Sequence, residues 1–511
     1  MLPCAMASIV LSTLNSRYSH TALGLRYLRA NLGALRAESV IREFVVRTPA
    51  STIVDALLAE QPRIVGFGVY IWNVLQTAEV IRQLKARAPG VLVVIGGPEV
   101  SHEVDEQEIC RLADHVVTGW GELTFARLAA TLLDGPRPLM KVHAGEQAAL
   151  ETLVLPYAEY TEDDLAHRTV YVEASRGCPF KCEFCLSALD KTAWPFPLDP
   201  LLADLRRLYA RGARHFKFVD RTFNLKVATS ARILDFFLAL IETRPGDPPF
   251  LHFELIPDHL PDALKARIAR FPAGTLQFEI GIQSFDEATQ RRISRRQDDR
   301  AAEANIAWLR TSTHAHLHVD LIAGLPGEDV ASFAAGFDRL VALGPHEIQV
   351  GILKRLRGAP IARHTAEFGM RYSLVPPYEV QETGAIDAGT MQRVARFARY
   401  WDMVANSGRF PGTVPLVLDG SPFARFMDLA DWLHAAAGRT HAIAAERLYE
   451  LLHGWLVEKG VEPAMASETL VADYRRSGAR GRLALGEGAS TTPPSRGRRR
   501  VAGRQARHLA P

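Results

Sequence analysis

The sequence predicts an α/β protein made of two parallel-sheet units and a mostly helical extension. Three observations predict it. Apolar runs of strand length alternate with helical patterns from the start, and the alternation restarts at a longer period near Thr169. From about residue 372 the strand signals give way to helical ones. The 511 residues, 48% hydrophobic and 23% charged, suit two to four domains, each able to bury a core.

In residues 1–145, "ASIVLSTL" reads as a buried strand. "TALGLRYLRANLGAL" follows with Leu23, Tyr27, Leu28, Leu32 and Leu35 near one helical face. "RIVGFGVYIW" is the next strand, before a helix from about Asn73 to Ala88. "GVLVVIGGPEV" is a strand entering a double-glycine turn, and "HVVTGWGELTF" another, with Gly119 and Gly121 before a helix near Leu123. Strands this apolar are covered on both faces, as in a doubly wound, Rossmann-like sheet. Ligands of such sheets bind beyond the carboxyl ends of the strands, where the glycine turns lie.

Between residues 165 and 370 the strands are "TVYVEA", "HFKFVD", "FLHFEL", "TLQFEIGI", "LHVDLIAG" and "EIQVGIL", with helical patterns between them. Six β/α units fit a partial (β/α)6 TIM-type barrel, with polar and glycine residues just after the strands where barrel enzymes place their chemistry. "SLVPPYEV" leads into a helical domain over 371–477, where Leu448, Leu451, Leu452 and Trp455 form an apolar stripe. Residues 478–511 are rich in Gly, Ser, Pro and Arg, a composition expected to be a disordered basic tail.

The net charge is only +3, and eight arginines against one acid fall from Arg480 onward, leaving a mildly acidic body. No nucleic-acid groove or membrane-binding face is expected. No basic segment precedes the short apolar run at the N-terminus, and no run of about 18 apolar residues occurs, so the expected address is the cytoplasm. Five cysteines make no disulfide framework; their clustering points to metal or redox chemistry in a reducing compartment.

Three of the five are Cys178, Cys182 and Cys185, spaced C-x3-C-x2-C after the first barrel strand. A structural zinc needs four closed ligands, usually in two separated pairs. A 4Fe-4S cubane is normally held by four thiolates. Three leave one iron open to a substrate or cofactor. Phe184 is placed to shield that cluster from water.

This spacing, with an aromatic residue before the last cysteine, resembles the signature of the radical S-adenosylmethionine (radical SAM) superfamily. The resemblance implies that S-adenosylmethionine chelates the open iron and is reductively cleaved to a 5′-deoxyadenosyl radical. It implies cofactor contacts at Asp220 in "FVDRTFN", Glu254 after the third strand, and Glu279, Gln283 and Ser284 in "FEIGIQSFD". Ile322 and Gly324 in "VDLIAGLPGE" would lie against the adenine.

The glycines of the first unit are similar to those of cobalamin-binding domains. Gly96 and Gly97 allow close backbone approach to a flat ligand; Gly68 and Tyr70, then Gly119, Gly121 and Glu122, complete the expected contacts. Such domains bring a cobalt-ligating histidine on an Asp-x-His-x-x-Gly loop. Here His20 lies four residues before Gly24 with no Asp two before it, so His20 is not expected to ligate cobalt. "NSRYSHTALGLRYLRANL", "VYIWN", "GGPEVS", "FVDRTFN" and "LKRLRGAP" look like one branch of cobalamin-domain radical SAM proteins with a C-terminal extension of unknown function.

The resemblance implies an enzyme, methyltransferase-like, that modifies an unactivated carbon of a small molecule or peptide. A reducing partner such as a flavodoxin or ferredoxin would supply electrons. Ring closure or rearrangement without methyl transfer, and a non-catalytic redox or ligand sensor, are the alternatives. Tyr372, Tyr378 and Trp401 are candidate substrate contacts, with core packing as the other reading, and His316 and His318 point to one face of the fifth strand.

Overall fold

The computed structural model describes residues 7–190, 192–479, 483, 485 and 503–509. Two six-stranded parallel sheets organise them. The first runs β1 (Ile9–Asn15), β2 (Ser39–Val45), β3 (Ile64–Gly68), β4 (Leu92–Gly96), β5 (His115–Thr118) and β6 (Val142–Ala144), in the order β2-β1-β3-β4-β5-β6. All seven residues of β1 are buried, as the apolar run requires. Strand β2 was not anticipated. Its charged Arg42 and Glu43 hide the strand pattern, and Glu43 is neutralised by Arg26 at 2.9 Å and Arg168 at 2.8 Å.

The second sheet starts with β7 (Val170–Val172). A two-residue ribbon, β8 (Ser175–Arg176) with β9 (Trp194–Pro195), brackets the cysteine loop. The sheet continues with β10 (His215–Phe218), β11 (Phe250–Leu255), β12 (Leu276–Gln283), β13 (His316–Ala323) and β14 (Glu347–Ile352). Its order, β14-β13-β12-β11-β10-β7, follows the chain, and β7 does not pair with β14, so the barrel is partial.

The outward residues Phe216, Phe253, Phe278 and Leu317 are at most 1% exposed beneath the surrounding helices. The inward positions are polar, unlike the branched apolar filling usual in such barrels. Glu279 lies between Lys217 Nζ at 3.2 Å and His252 Nε2 at 3.0 Å. Burial opposes its ionisation, yet His252 and Lys217 hold its carboxyl well below the usual range.

After β14, the antiparallel pair β15 (Arg371–Tyr372) and β16 (Val380–Glu382) leads into helices Ala388–Met403, Pro422–Ala437, Ala445–Glu458 and Pro463–Arg476. The first of these starts where Asp387 Oδ1 accepts the Thr390 amide at 3.0 Å, a side-chain cap. Trp401 packs among Phe337, Phe397 and Phe426, so it is a core residue rather than a substrate contact. Tyr372 is half-buried, its hydroxyl 3.3 Å from Met370 Sδ. His316 is buried and bonded to Glu347 at 3.0 Å.

The basic tail is only partly within the described residues; 480–482, 484, 486–502 and 510–511 lie outside them. Where it is described it is not disordered. Gly503–Leu509 is a helix against the amino-terminal mouth of the barrel, with Arg504 bonded to Glu347 at 2.9 Å and Asp402 at 2.7 Å. Among the described residues no helix is long and apolar enough to cross a membrane.

Candidate active site

The cysteine loop is shaped before any ligand is considered. Buried Asp220 accepts the Ala174 amide at 3.0 Å and the Ser175 hydroxyl at 2.6 Å, fixing the exit from β7. Gly177 has φ +92°, and a Cβ there would meet Thr192 O at 2.4 Å, so only glycine allows the turn. The Cys178 amide donates to Asp190 O at 3.0 Å. Glu183 is 3% exposed and ties the loop to later elements, accepting Ser294 Oγ at 2.5 Å, bonding His364 Nε2 at 2.8 Å and pairing with Arg363.

Cys178, Cys182 and Cys185 line one cavity of about 240 Å³ with Phe184, Glu254, Glu279 and Gln283. Burial pushes the Cys178 thiol up to about 11 and raises Cys182 too, against the pull of Arg295 at 3.6 Å. Burial thus keeps these two groups as neutral thiols, and a bound cationic centre would favour their thiolates. Among the described residues no three His, Cys, Asp or Glu side chains converge on a single metal ion. The donor set, three thiols around a shared cavity, fits a polynuclear iron–sulfur cluster.

The same cavity fits a polar ligand beside that cluster. Gln283 Oε1 is buried without a hydrogen-bond partner, and Asp320 Oδ1 makes none either, with only His318 Nε2 beside it at 3.4 Å. Leaving the Gln283 oxygen unpaired costs about 1–3 kcal/mol, so this wall of the site is built for a donor the chain does not supply. Gln283 has φ +73° at a β-bulge in β12, a strained position that turns it to the cavity. Arg221 grips Glu254 with Nη1 at 2.7 and 3.0 Å.

Four expected contacts lie elsewhere. Asp220 faces the loop backbone instead of the cavity. The Ser284 hydroxyl is buried and donates to Glu328 Oε1 at 2.5 Å. Ile322 packs in an apolar group around Leu325 and Leu353. Gly324 is covered by the C-terminal extension, for a Cβ there would meet Val380 Cγ1 at 2.5 Å and Met391 Cε at 3.0 Å.

A second cavity, of about 540 Å³, opens at the carboxyl ends of β3, β4 and β5. Gly68, Tyr70, Gly96, Gly97, Gly119, Gly121 and Glu122 all line it. Gly97 has φ +113°, and a Cβ would strike Val69 O at 2.6 Å, so only glycine lets this turn pack on the end of β3. Tyr70 stacks on Trp72 at 4.5 Å. The mostly apolar walls and glycine-bared floor fit a large flat cofactor such as cobalamin. His20 is not on this cavity; its Nδ1 lies 2.6 Å from the Tyr171 hydroxyl on β7.

The barrel closes the other side of this cavity. Arg176 pairs with Glu122 and Glu173, each at 2.8 Å, and its guanidinium lies 4.5 Å over Trp120 and 5.1 Å over Tyr27. A single 3-10 turn after Cys185, Leu186–Leu189, separates the two cavities: Leu186 and Leu189 face the larger, Ala188 the smaller. Sequence reading missed Arg176, Glu183, Arg221, Arg295 and Asp320. Arg176 and Asp320 did carry a signal: Arg176 is a charge just past the first barrel strand and Asp320 a charge inside the apolar fifth, each next to a recognised motif.

Family comparisons agree with this arrangement. Residues 9–129 match the B12 binding domain, residues 172–340 the radical SAM superfamily, and residues 366–487 a protein family of unknown function, DUF4080. The cobalamin-dependent radical SAM methyltransferase TokK of Streptomyces tokunonensis is 28% identical over 360 residues, 63% of this chain and 51% of that protein. A 2-(S-pantetheinyl)-carbapenam-3-carboxylate methyltransferase of Streptantibioticus cattleyicolor is 26% identical over 360 residues, 64% of this chain and 52% of that one. The chain thus spans about half the length of these curated relatives. Among solved structures, the methyltransferase TsrM from Kitasatospora setae, with cobalamin and a [4Fe-4S] cluster bound, shares the fold at TM-score 0.57 and 16% identity, over 75% of this chain and 82% of that one. OxsB with aqua-cobalamin bound does so at TM-score 0.60 and 13% identity, over 92% and 80%. The chain thus carries, in order, a B12-binding domain, a radical SAM domain and a region matching DUF4080, and its relatives include cobalamin-dependent radical SAM methyltransferases.

Proposed function

We propose that this protein is a cobalamin-dependent radical SAM enzyme that methylates an unactivated carbon of a small molecule held between the two cavities. The observation that carries the reading is the shared wall: the three-thiol cavity and the glycine-floored cavity lie on either side of one turn, Leu186–Leu189. When bound, the cluster with S-adenosylmethionine supplies hydrogen abstraction from carbon, and cobalamin supplies a transferable methyl group.

The chain's own work is holding, orienting and excluding water. Cys178, Cys182 and Cys185 would hold an iron–sulfur cluster through their thiolates, with no fourth cysteine on the same cavity among the described residues. Glu254, Glu279, Gln283 and Asp320 offer the polar contacts for S-adenosylmethionine. Gly68, Tyr70, Gly96, Gly97, Gly119, Gly121 and Glu122 cradle cobalamin, and Arg176 seals the two domains around it. Asp220 and Ser284 contribute by bracing the backbone behind the site. A low-potential electron carrier such as a flavodoxin or ferredoxin supplies the reductant, and the cytoplasm, where thiols stay reduced, suits the site.

The reading is tested with anaerobically reconstituted protein, reductant and S-adenosylmethionine. Wild type is expected to form 5′-deoxyadenosine, and Cys→Ala at 178, 182 or 185 to abolish it. Persistent formation in any of the three variants contradicts the assignment. With a substrate in hand, a product heavier by about 14 Da marks methyl transfer, whereas loss of hydrogen marks ring closure.

A further inference from the structure

The segment after β4, Gly97–Glu103, has two faces. One lines the larger cavity through Gly97, Pro98, Ser101 and His102. The other is held by residues more than 250 positions later. Glu103 accepts Arg355 Nη2 at 3.0 Å, Arg357 Nη1 at 2.9 Å and the Gly358 amide at 3.2 Å. Glu99 accepts the Tyr378 hydroxyl at 2.6 Å and Arg357 Nε at 3.2 Å. Gly358 has φ +79°, and a Cβ there would meet His102 Cγ at 2.3 Å, so the His102 ring rests on bare backbone. Within the segment, Ser101 Oγ donates to Gly97 O at 2.8 Å and accepts the Gly119 amide at 3.0 Å, coupling it to the next glycine turn.

These contacts join two sequence features that stand far apart, "GGPEVS" and "LKRLRGAP", and they reach into the extension of unknown function through Tyr378. Tyr378 is thus a domain-bridging residue rather than a substrate contact. Its left-handed φ of +57° is an unfavourable backbone for a bulky residue, retained where the phenol reaches Glu99. Burial, with Glu99 beside it, pushes the phenol up to about 12, so it stays a donor. The Glu99 side chain is 3% exposed, and a buried charge cluster of this kind is a poor source of net stability. Its use is to fix one geometry.

We propose that Arg357 and Tyr378 are positioning residues for cobalamin: the segment after β14 and the C-terminal extension form an arch that clamps the cofactor-facing loop Gly97–Glu103. This rests on the cobalamin reading of the larger cavity. Neither residue touches that cavity; both act through Glu99 and Glu103.

The test uses full-length, cobalamin-loaded, cluster-containing protein under anaerobic conditions. Cobalamin release on dilution is followed by the visible spectrum of the retained fraction for wild type, Tyr378→Phe and Arg357→Gln. Each variant is expected to release cobalamin about tenfold faster or more, the effect of losing a hydrogen bond to a charged group. Iron content is expected to stay at the wild-type value. Release at the wild-type rate overturns the proposal, as does faster release seen only together with lost iron. If wild type itself retains no cobalamin, the proposed function fails first. Amide hydrogen exchange of cobalamin-free protein then decides the arch by itself: faster exchange across residues 97–103 in Tyr378→Phe upholds it, and unchanged exchange overturns it.

Discussion

One buried carboxylate sets the start of the cysteine loop. Asp220 takes two donors, Ala174 N and Ser175 Oγ, yet burial wins and pushes its carboxyl up to about 7. The folded state therefore binds a proton that the unfolded chain has already lost above pH 4. The stabilisation from this group is complete below about pH 4 and is lost as pH rises to about 7. In thermal melts of cofactor-free protein, Asp220→Asn is expected to flatten the fall in stability between about pH 4 and 7. An unchanged slope would show that Asp220 titrates as it does in the unfolded chain. The residue was picked from the sequence for a different role, contact with S-adenosylmethionine. Its type and position were legible, but the direction of its side chain was not, because the Ala174 amide that claims it lies 46 residues earlier.

At the scale of elements, strand and loop divide the labour. The strands of the second sheet were readable because outward apolar residues alternate with inward polar ones, a period of two that survives even with Glu279, His318 and Asp320 inside. β2 was not readable, since Arg42 and Glu43 break its apolar pattern and are paid for only by tertiary partners. The cysteine loop is anchored at its middle by Glu183, between Cys182 and Phe184. Glu183→Ala leaves His364, Arg363 and Ser294 without their acceptor. It is expected to cost about 1–3 kcal/mol and to lower iron retained after reconstitution, with cobalamin content unchanged. Iron and cobalamin assays on one sample check this, and a proportional loss of both would place Glu183 in general folding instead.

At the scale of the molecule, the larger cavity is completed by two domains and neither would close it alone. Arg176 and Leu189 from the barrel face Glu122 and Trp120 of the first sheet, and the Arg355–Arg357 segment braces the loop between them. The thiol triad was legible in the sequence because its members lie within eight residues and share one strand exit. The cavity between domains was only half legible. Its glycines announce themselves by local pattern, whereas Arg176, Arg357 and Tyr378 meet their partners across 54 to 279 residues of chain. The tail's final helix, Gly503–Leu509, was hidden for the same reason: its composition reads as solvated, and its order comes from Glu347, Asp402 and Asn406.

The central claim, that one chain holds an open-cornered iron–sulfur cluster and a cobalamin on either side of Leu186–Leu189, is tested most directly by quantifying metals and cofactor together after anaerobic purification. The account predicts about four iron, four sulfide and one cobalamin per chain, with no stoichiometric zinc. Zinc bound by Cys178, Cys182 and Cys185, or iron and sulfide present with no cobalamin retained, would contradict it.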